Sequence, residues 1–251
     1  MIAGAPDLLT EATGRLERLA AAAADGAYDP AIDLMVDAID AGGVIQAFGT
    51  GHSQAFAMEM AGRAGGLIPT NGIALRDVVL FGNREPAALF GSELERDPNV
   101  VGELLRVTRI GEEDVFLIAS NSGVNGSIVG LALAVKERGH KVIAVTSLEH
   151  TNSVEPQHPS GVRLAEVADV VVDNLAPRGD TTLTIADGVG VGAVSSITGA
   201  FVAQLLTLGV AQRLADAGGT PPVYLSANVP GGDEHNRALQ HLYRDRIRWS
   251  V

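Results

Sequence analysis

The sequence predicts an α/β fold: a three-layer αβα sandwich with a five-stranded parallel sheet and helical N- and C-terminal extensions. Three observations predict it. The apolar runs are short and bounded by turn residues, helical patterns lie between them, and the runs are near-continuous in Val, Ile, Leu, Ala and Phe. Strands alternating with helices make βαβ units and hence a parallel sheet. Strands that do not alternate in polarity are covered on both faces.

In chain order, the first helix is predicted over 6–24, where "TGRLERLAAAAA" is strongly helix-favouring, and the second over 30–41, started by Pro30. Val44–Phe48 is the first strand, followed by a helix over 52–63 and a short second strand, Leu67–Pro69. A helix over 94–108 leads to the strand Val115–Ala119, and a helix over 126–138 leads to Val142–Thr146. Val170–Val172 closes the sheet, and helices over 188–216 and 234–246 complete the chain. Without an internal repeat or low-complexity linker, residues 1–251 read as one domain, with its core at about 35–210.

The net charge of −12 and pI near 4.8 argue against nucleic acid and against an anionic membrane surface as partners. An acidic chain that binds an anion must do so with a local site. No cysteine is present, which excludes thiolate metal sites and fits a reducing cytoplasm. The N-terminus lacks a basic leader followed by an apolar stretch, so no secretory signal is expected. Residues 188–212 carry no charge and are long enough to cross a bilayer, but glycines and polar residues interrupt them and no basic flank sets a topology. A helix buried between the sheet and a neighbouring subunit fits better, so no membrane and a homodimer or higher homo-oligomer are expected.

Ligands of open parallel sheets bind beyond the carboxyl ends of the strands, near the point where strand order reverses. Two such ends have matching chemistry. Gly49-Thr50-Gly51-His52-Ser53 follows the first strand, and Ser120-Asn121-Ser122-Gly123-Val124-Asn125 follows the third. In both, glycine admits a ligand close to the backbone while hydroxyls and amides face it. A dinucleotide reading fails, because Gln54 occupies the third glycine position and no acidic ribose partner follows the next strand; a Walker A lysine is also missing. A small phosphorylated metabolite fits, with no cofactor.

The pair "GTGHS" and "SNSGVN" resembles the sugar isomerase (SIS) domain, a flavodoxin-like fold whose members bind phosphosugars with serine- and threonine-rich turns. The likeness covers about 35–210. "HSQAFAMEMAGRAGGL", "HPSGVRLAEVADVVVDN" and "SANVPGGDEHN" are similar to one SIS subgroup that includes proteins acting on N-acetylglucosamine 6-phosphate. The resemblance implies that Ser53, Ser120, Ser122 and Asn125 hold phosphate, with backbone help from Gly51 and Gly123. Asn125 replaces the family's commoner threonine. His52 and Asn121 lie within the two turns, and Thr146 and Ser147 are expected along the sugar. Each hydrogen bond to a charged group contributes about 1.5–3 kcal/mol, so several hold a phosphate without a lysine.

Phosphosugar isomerases, epimerases and eliminating lyases all need a base for the proton on carbon 2 and a second proton-transfer group. Glu59 is the leading candidate, since "AMEMAGR" resembles the phosphoheptose isomerase helix with its catalytic glutamate before Gly-Arg. A salt bridge to Arg63 at i+4 is its structural alternative. Glu95, which also suits a helix start, is a second candidate. Glu234 and His235 are further candidates, because related SIS proteins bring a C-terminal His or Glu to the site. No metal is expected, since the zinc histidine of phosphoheptose isomerase, one turn before its glutamate, is replaced by Ala55. His158 in "QHPSG" is read as turn chemistry. The favoured reaction is a lyase dehydrating N-acetylglucosamine 6-phosphate. An aldose–ketose phosphosugar isomerase and a non-catalytic sugar-phosphate sensor are the alternatives.

Overall fold

Five strands are strung in one sheet with every neighbouring pair parallel: β1 (Ile45–Gly49), β2 (Thr70–Ile73), β3 (Val115–Ala119), β4 (Lys141–Thr146) and β5 (Val170–Asp173), in the order β2-β1-β3-β4-β5. The computed structural model describes residues 2–243 and 246–248. Its main helices are α1 (Ala5–Ala24), α2 (Asp29–Asp40), α3 (Gln54–Met60), α4 (Val100–Val107), α5 (Gly126–Glu137), α6 (Ser195–Asp216) and α7 (Gly232–Tyr243). Successive residues of a strand point to opposite faces. In β3, Val115, Leu117 and Ala119 enter one core with Met35 of α2, Met60 of α3 and Leu206 of α6. Phe116 and Ile118 enter the other with Leu104 of α4 and Ile128 and Leu131 of α5. This two-sided burial is why the sequence of β3 does not alternate.

Several expected elements are redrawn. The second strand lies at Thr70–Ile73 rather than Leu67–Pro69. Leu67 and Ile68 are fully buried, but Leu67 bridges Val223 and the Ile68 amide donates to the Pro222 carbonyl at 2.7 Å. The polar β2 residue Asn71 is tolerated inside because its amide donates to Gln46 Oε1 at 2.7 Å and its oxygen accepts the Arg248 amide at 2.9 Å. The expected helix 94–108 breaks at Pro98 into a single turn, Glu93–Arg96, and α4, since proline has no N–H to continue the ladder. The expected helix 188–216 begins only at Ser195; before it, β6 (Thr181–Thr184) and β7 (Gly190–Ala193) form an antiparallel hairpin. Asp180 marks that start, accepting the Ser195 amide at 2.8 Å and its hydroxyl at 2.6 Å.

α6 is long and apolar enough to cross a membrane, yet it packs as a core helix, burying Val202, Ala203, Leu206 and Val210 beside α2 and α3. The helix expected over 52–63 is shorter, opening with a 3₁₀ turn at Gly51–Ser53 and ending at Met60. Of the helix expected over 234–246, residues 244 and 245 lie outside the described residues.

At the opposite end of the strands, Asp114 is a fully enclosed carboxylate. It accepts the Val44 amide at 2.9 Å, Gln46 Nε2 at 2.8 Å and the Gly111 amide at 2.9 Å, and it pairs with Arg246 from the C-terminal segment. A buried charge of this kind is tolerated because it is both paired and hydrogen-bonded.

Candidate functional site

Strand order reverses between β1 and β3, so the carboxyl ends of these two strands diverge into opposite helices and leave a crevice above Gly49 and Ala119. The close approach of the following turn requires glycine at position 49, since a Cβ there would lie 2.3 Å from the Ser53 carbonyl oxygen. At the β3 end, Gly123 adopts φ 64°, and its amide donates to Ser120 Oγ at 3.1 Å. That bond uses Ser120 Oγ as an acceptor and leaves its hydroxyl proton for a ligand.

A cavity of about 100 Å³ opens in the crevice, lined by His52, Ser53, Glu59, Ser120 and Asn121. Thus five of the residues singled out from the sequence share one wall system. The remaining polar lining was not anticipated: Asn174 after β5, and Ser195 and Ser196 at the start of α6. Asn174 donates from Nδ2 to Asn121 Oδ1 at 3.1 Å, which fixes the orientation of that turn. The two serines sit in the uncharged segment that the sequence marks only as a buried helix over 188–216. Among the described residues, no lysine or arginine lines this cavity.

Glu59 reaches the cavity from α3, between exposed Met58 and fully buried Met60. Its Oε1 pairs with Arg63 and also accepts Gln204 Nε2 of α6 at 2.6 Å. The i+4 ion pair and the cavity position therefore coexist. Oε2 makes no hydrogen bond among the described residues.

The other candidates are distributed differently. Thr146 and Ser147, expected along the sugar, are completely buried and hold the scaffold. The Ser147 hydroxyl donates to the Ala176 carbonyl at 2.6 Å and accepts the His150 amide at 2.9 Å, while Thr146 Oγ1 donates to the Asn121 carbonyl at 3.3 Å. Ser122 is half-buried in its turn, outside the cavity lining. Gly51 and Glu95 border a second cavity, of about 280 Å³, across the β1 turn. Glu95 Oε1 accepts both Thr50 Oγ1, at 3.0 Å, and Asn125 Nδ2, at 2.6 Å. Glu234 and His235 lie on α7 and border neither cavity; His235 Nε2 is 3.0 Å from the Val223 carbonyl oxygen. His158 serves its loop, its Nδ1 accepting the Ser160 amide at 3.1 Å, and burial holds its imidazole below the ordinary histidine value.

Residues 9–147 match the SIS domain. A UPF0309 protein of Geobacillus kaustophilus is 37% identical over 218 residues, which cover 86% of this chain and 85% of that protein. A phosphoheptose isomerase from Francisella tularensis superposes with a TM-score of 0.51 at 15% identity, covering 83% of this chain and 98% of the other. The Vibrio vulnificus NanR protein complexed with ManNAc-6P gives a TM-score of 0.51 at 11% identity, covering 97% and 70%. The last two are likenesses of fold.

Proposed function

We propose, given that this chain belongs to the SIS domain family and to the UPF0309 proteins, that it is an enzyme acting on a phosphosugar through proton abstraction at carbon 2. The observation that carries this reading is Glu59 on the wall of the cavity that Ser53 and Ser120 also line. The hydroxyls and turn amides hold the phosphate, and Glu59 takes the carbon-2 proton of the open-chain aldehyde. The resulting enolate expels the carbon-3 hydroxyl, which leaves as water after receiving a proton. The favoured substrate is N-acetylglucosamine 6-phosphate. An acetamido substituent favours elimination, because an amide nitrogen does not readily complete an amine-to-imine route to a ketose. The fold accommodates such ligands, since the NanR structure holds ManNAc-6P. Aldose–ketose isomerisation shares the enolate and is the second reading. A phosphorylated substrate and a cysteine-free chain suit the cytoplasm.

The phosphate assignment predicts that Ser120→Ala combined with Ser122→Ala weakens phosphosugar binding by about 1–3 kcal/mol while the fold is retained. Calorimetry with sugar and sugar phosphate side by side checks it. Equal affinity of the unaltered protein for the two would remove the phosphate from this corner.

The chain also assembles with copies of itself in this reading. Met58, Ile197 and Leu208 are 61, 41 and 64% exposed on α3 and α6, adjacent helices beside the cavity. Sedimentation at micromolar concentration should find a dimer or larger species; a stable monomer contradicts the assembly.

A further inference from the structure

The second cavity contains an arrangement that phosphate binding alone does not explain. Thr50 belongs to the turn after β1 and Asn125 to the turn after β3, and both donate to a single oxygen, Oε1 of Glu95. A carboxylate thus occupies donors from both hydroxyl- and amide-rich turns, as an incoming anion would. The backbone of Glu95 is anchored independently, its carbonyl accepting the Ser127 hydroxyl at 2.7 Å, so the side chain can swing without moving the turn. Arg76 borders the same cavity as Glu95; its guanidinium makes no hydrogen bond or close ion pair among the described residues and acts electrostatically on Asp77. The carboxylate is held by the turn donors, and the Arg76 guanidinium, whose neighbouring charge is Asp77, lines the same cavity as a second partner.

Building on the phosphosugar reading, we propose that Glu95 is an internal anion that holds the Thr50 and Asn125 donors of the two phosphate-binding turns until a phosphate displaces it, and that Arg76 receives it on release. Two like charges on the same donors exclude each other, so phosphate and the Thr50–Asn125 position of Glu95 are mutually exclusive. The corner then admits ligands that outcompete a resident carboxylate, which favours a phosphate ester over an uncharged sugar. The free energy of release is reduced when Glu95 can pair with Arg76, which couples the two residues through a two-position side chain.

Titration of inorganic phosphate into the full-length protein, followed by calorimetry, tests this with a double-mutant cycle. Glu95→Ala should tighten phosphate binding by about tenfold, the equivalent of one lost competing charged hydrogen bond. Glu95→Gln, which keeps the side-chain volume, should tighten it less. Arg76→Ala should weaken binding by about three- to fivefold when Glu95 is present, and should have no effect in the Glu95→Ala background. Unchanged or weaker phosphate binding in Glu95→Ala overturns the displacement while leaving the phosphosugar reading intact. An equal loss from Arg76→Ala in both backgrounds makes Arg76 a direct phosphate contact and also overturns it. Failure of every protein, unaltered included, to saturate with phosphate overturns the displacement, and the phosphosugar reading falls with it only if N-acetylglucosamine 6-phosphate also fails to bind.

Discussion

Glu59→Gln is expected to keep the fold and the phosphate affinity but lose at least about a hundredfold of turnover, the usual range for removing a positioned base. Deuterium from solvent should also stop entering carbon 2 of the sugar. The physical basis is the division of labour within the carboxylate. Oε1 is held by Arg63 and Gln204, which fix its orientation, while Oε2 has no hydrogen bond among the described residues and is the oxygen available to receive a proton. Glutamine retains the shape but has no basic oxygen. A purely structural Glu59 makes a different prediction: loss of one helical ion pair costs about 0.3–0.5 kcal/mol of stability and leaves exchange near the unaltered level. Retained exchange in Glu59→Gln would transfer the role of base to Glu95 or to the Glu234–His235 pair. Binding of a phosphate analogue to the same variant separates lost chemistry from lost substrate.

The largest expected effect on stability is at the other end of the sheet. Asp114→Ala should destabilise the protein by about 3–5 kcal/mol, the range found when one partner of a buried ion pair is removed. Three donors with stated geometry, the Val44 and Gly111 amides and Gln46 Nε2, lose their acceptor, and Arg246 is left beside an apolar methyl. Asn71 is affected indirectly, because Gln46 is its partner. Urea unfolding at one fixed protein concentration measures the change, and the concentration must be matched because self-association would shift apparent stability. A loss below about 1 kcal/mol, the value of an exposed pair, would mean that the enclosed carboxylate is not what joins these elements. Arg246→Met should cost less, since the three other donors to Asp114 remain.

How much of this was legible in the sequence depended on whether the deciding partner was local. The strands at 45–49, 115–119 and 141–146 were readable because burial on both faces writes a near-continuous apolar run, and the edge strand at 170–173 because its valines are β-formers although Val171 is exposed. β2 was misplaced because the more apolar stretch, Leu67 and Ile68, satisfies its backbone against residues 222–223, while the true strand carries Asn71. Its compensating partners, Gln46 and Arg248, lie 25 and 177 positions away. The hairpin before α6 was hidden for a similar reason: a segment without charge gives no break, and the cap that sets the helix start comes from Asp180, 15 residues upstream. Around the first cavity the expected residues Ser53, Glu59 and Ser120 are brought together, each from a turn or helix whose chemistry is written locally. Asn174, Ser195, Ser196 and Gln204 were not legible, since only the packing of α6 and the β5 end around the crevice gives them a role. Thr146 and Ser147, polar residues at a strand end that suggest ligand contact, are fully buried, with their hydroxyls on the Asn121 and Ala176 carbonyls.

Proton abstraction from carbon 2 of a phosphosugar is most directly tested by incubating the unaltered protein with a panel of sugar 6-phosphates in deuterated water and following carbon 2 by NMR. N-acetylglucosamine 6-phosphate should lose its carbon-2 proton signal, with release of the carbon-3 hydroxyl, while the unphosphorylated sugar remains unchanged. Exchange on another sugar 6-phosphate alone would keep the mechanism and change the substrate. No exchange on any member of the panel, with binding of the phosphosugars retained, would contradict an enzyme and leave a sugar-phosphate sensor.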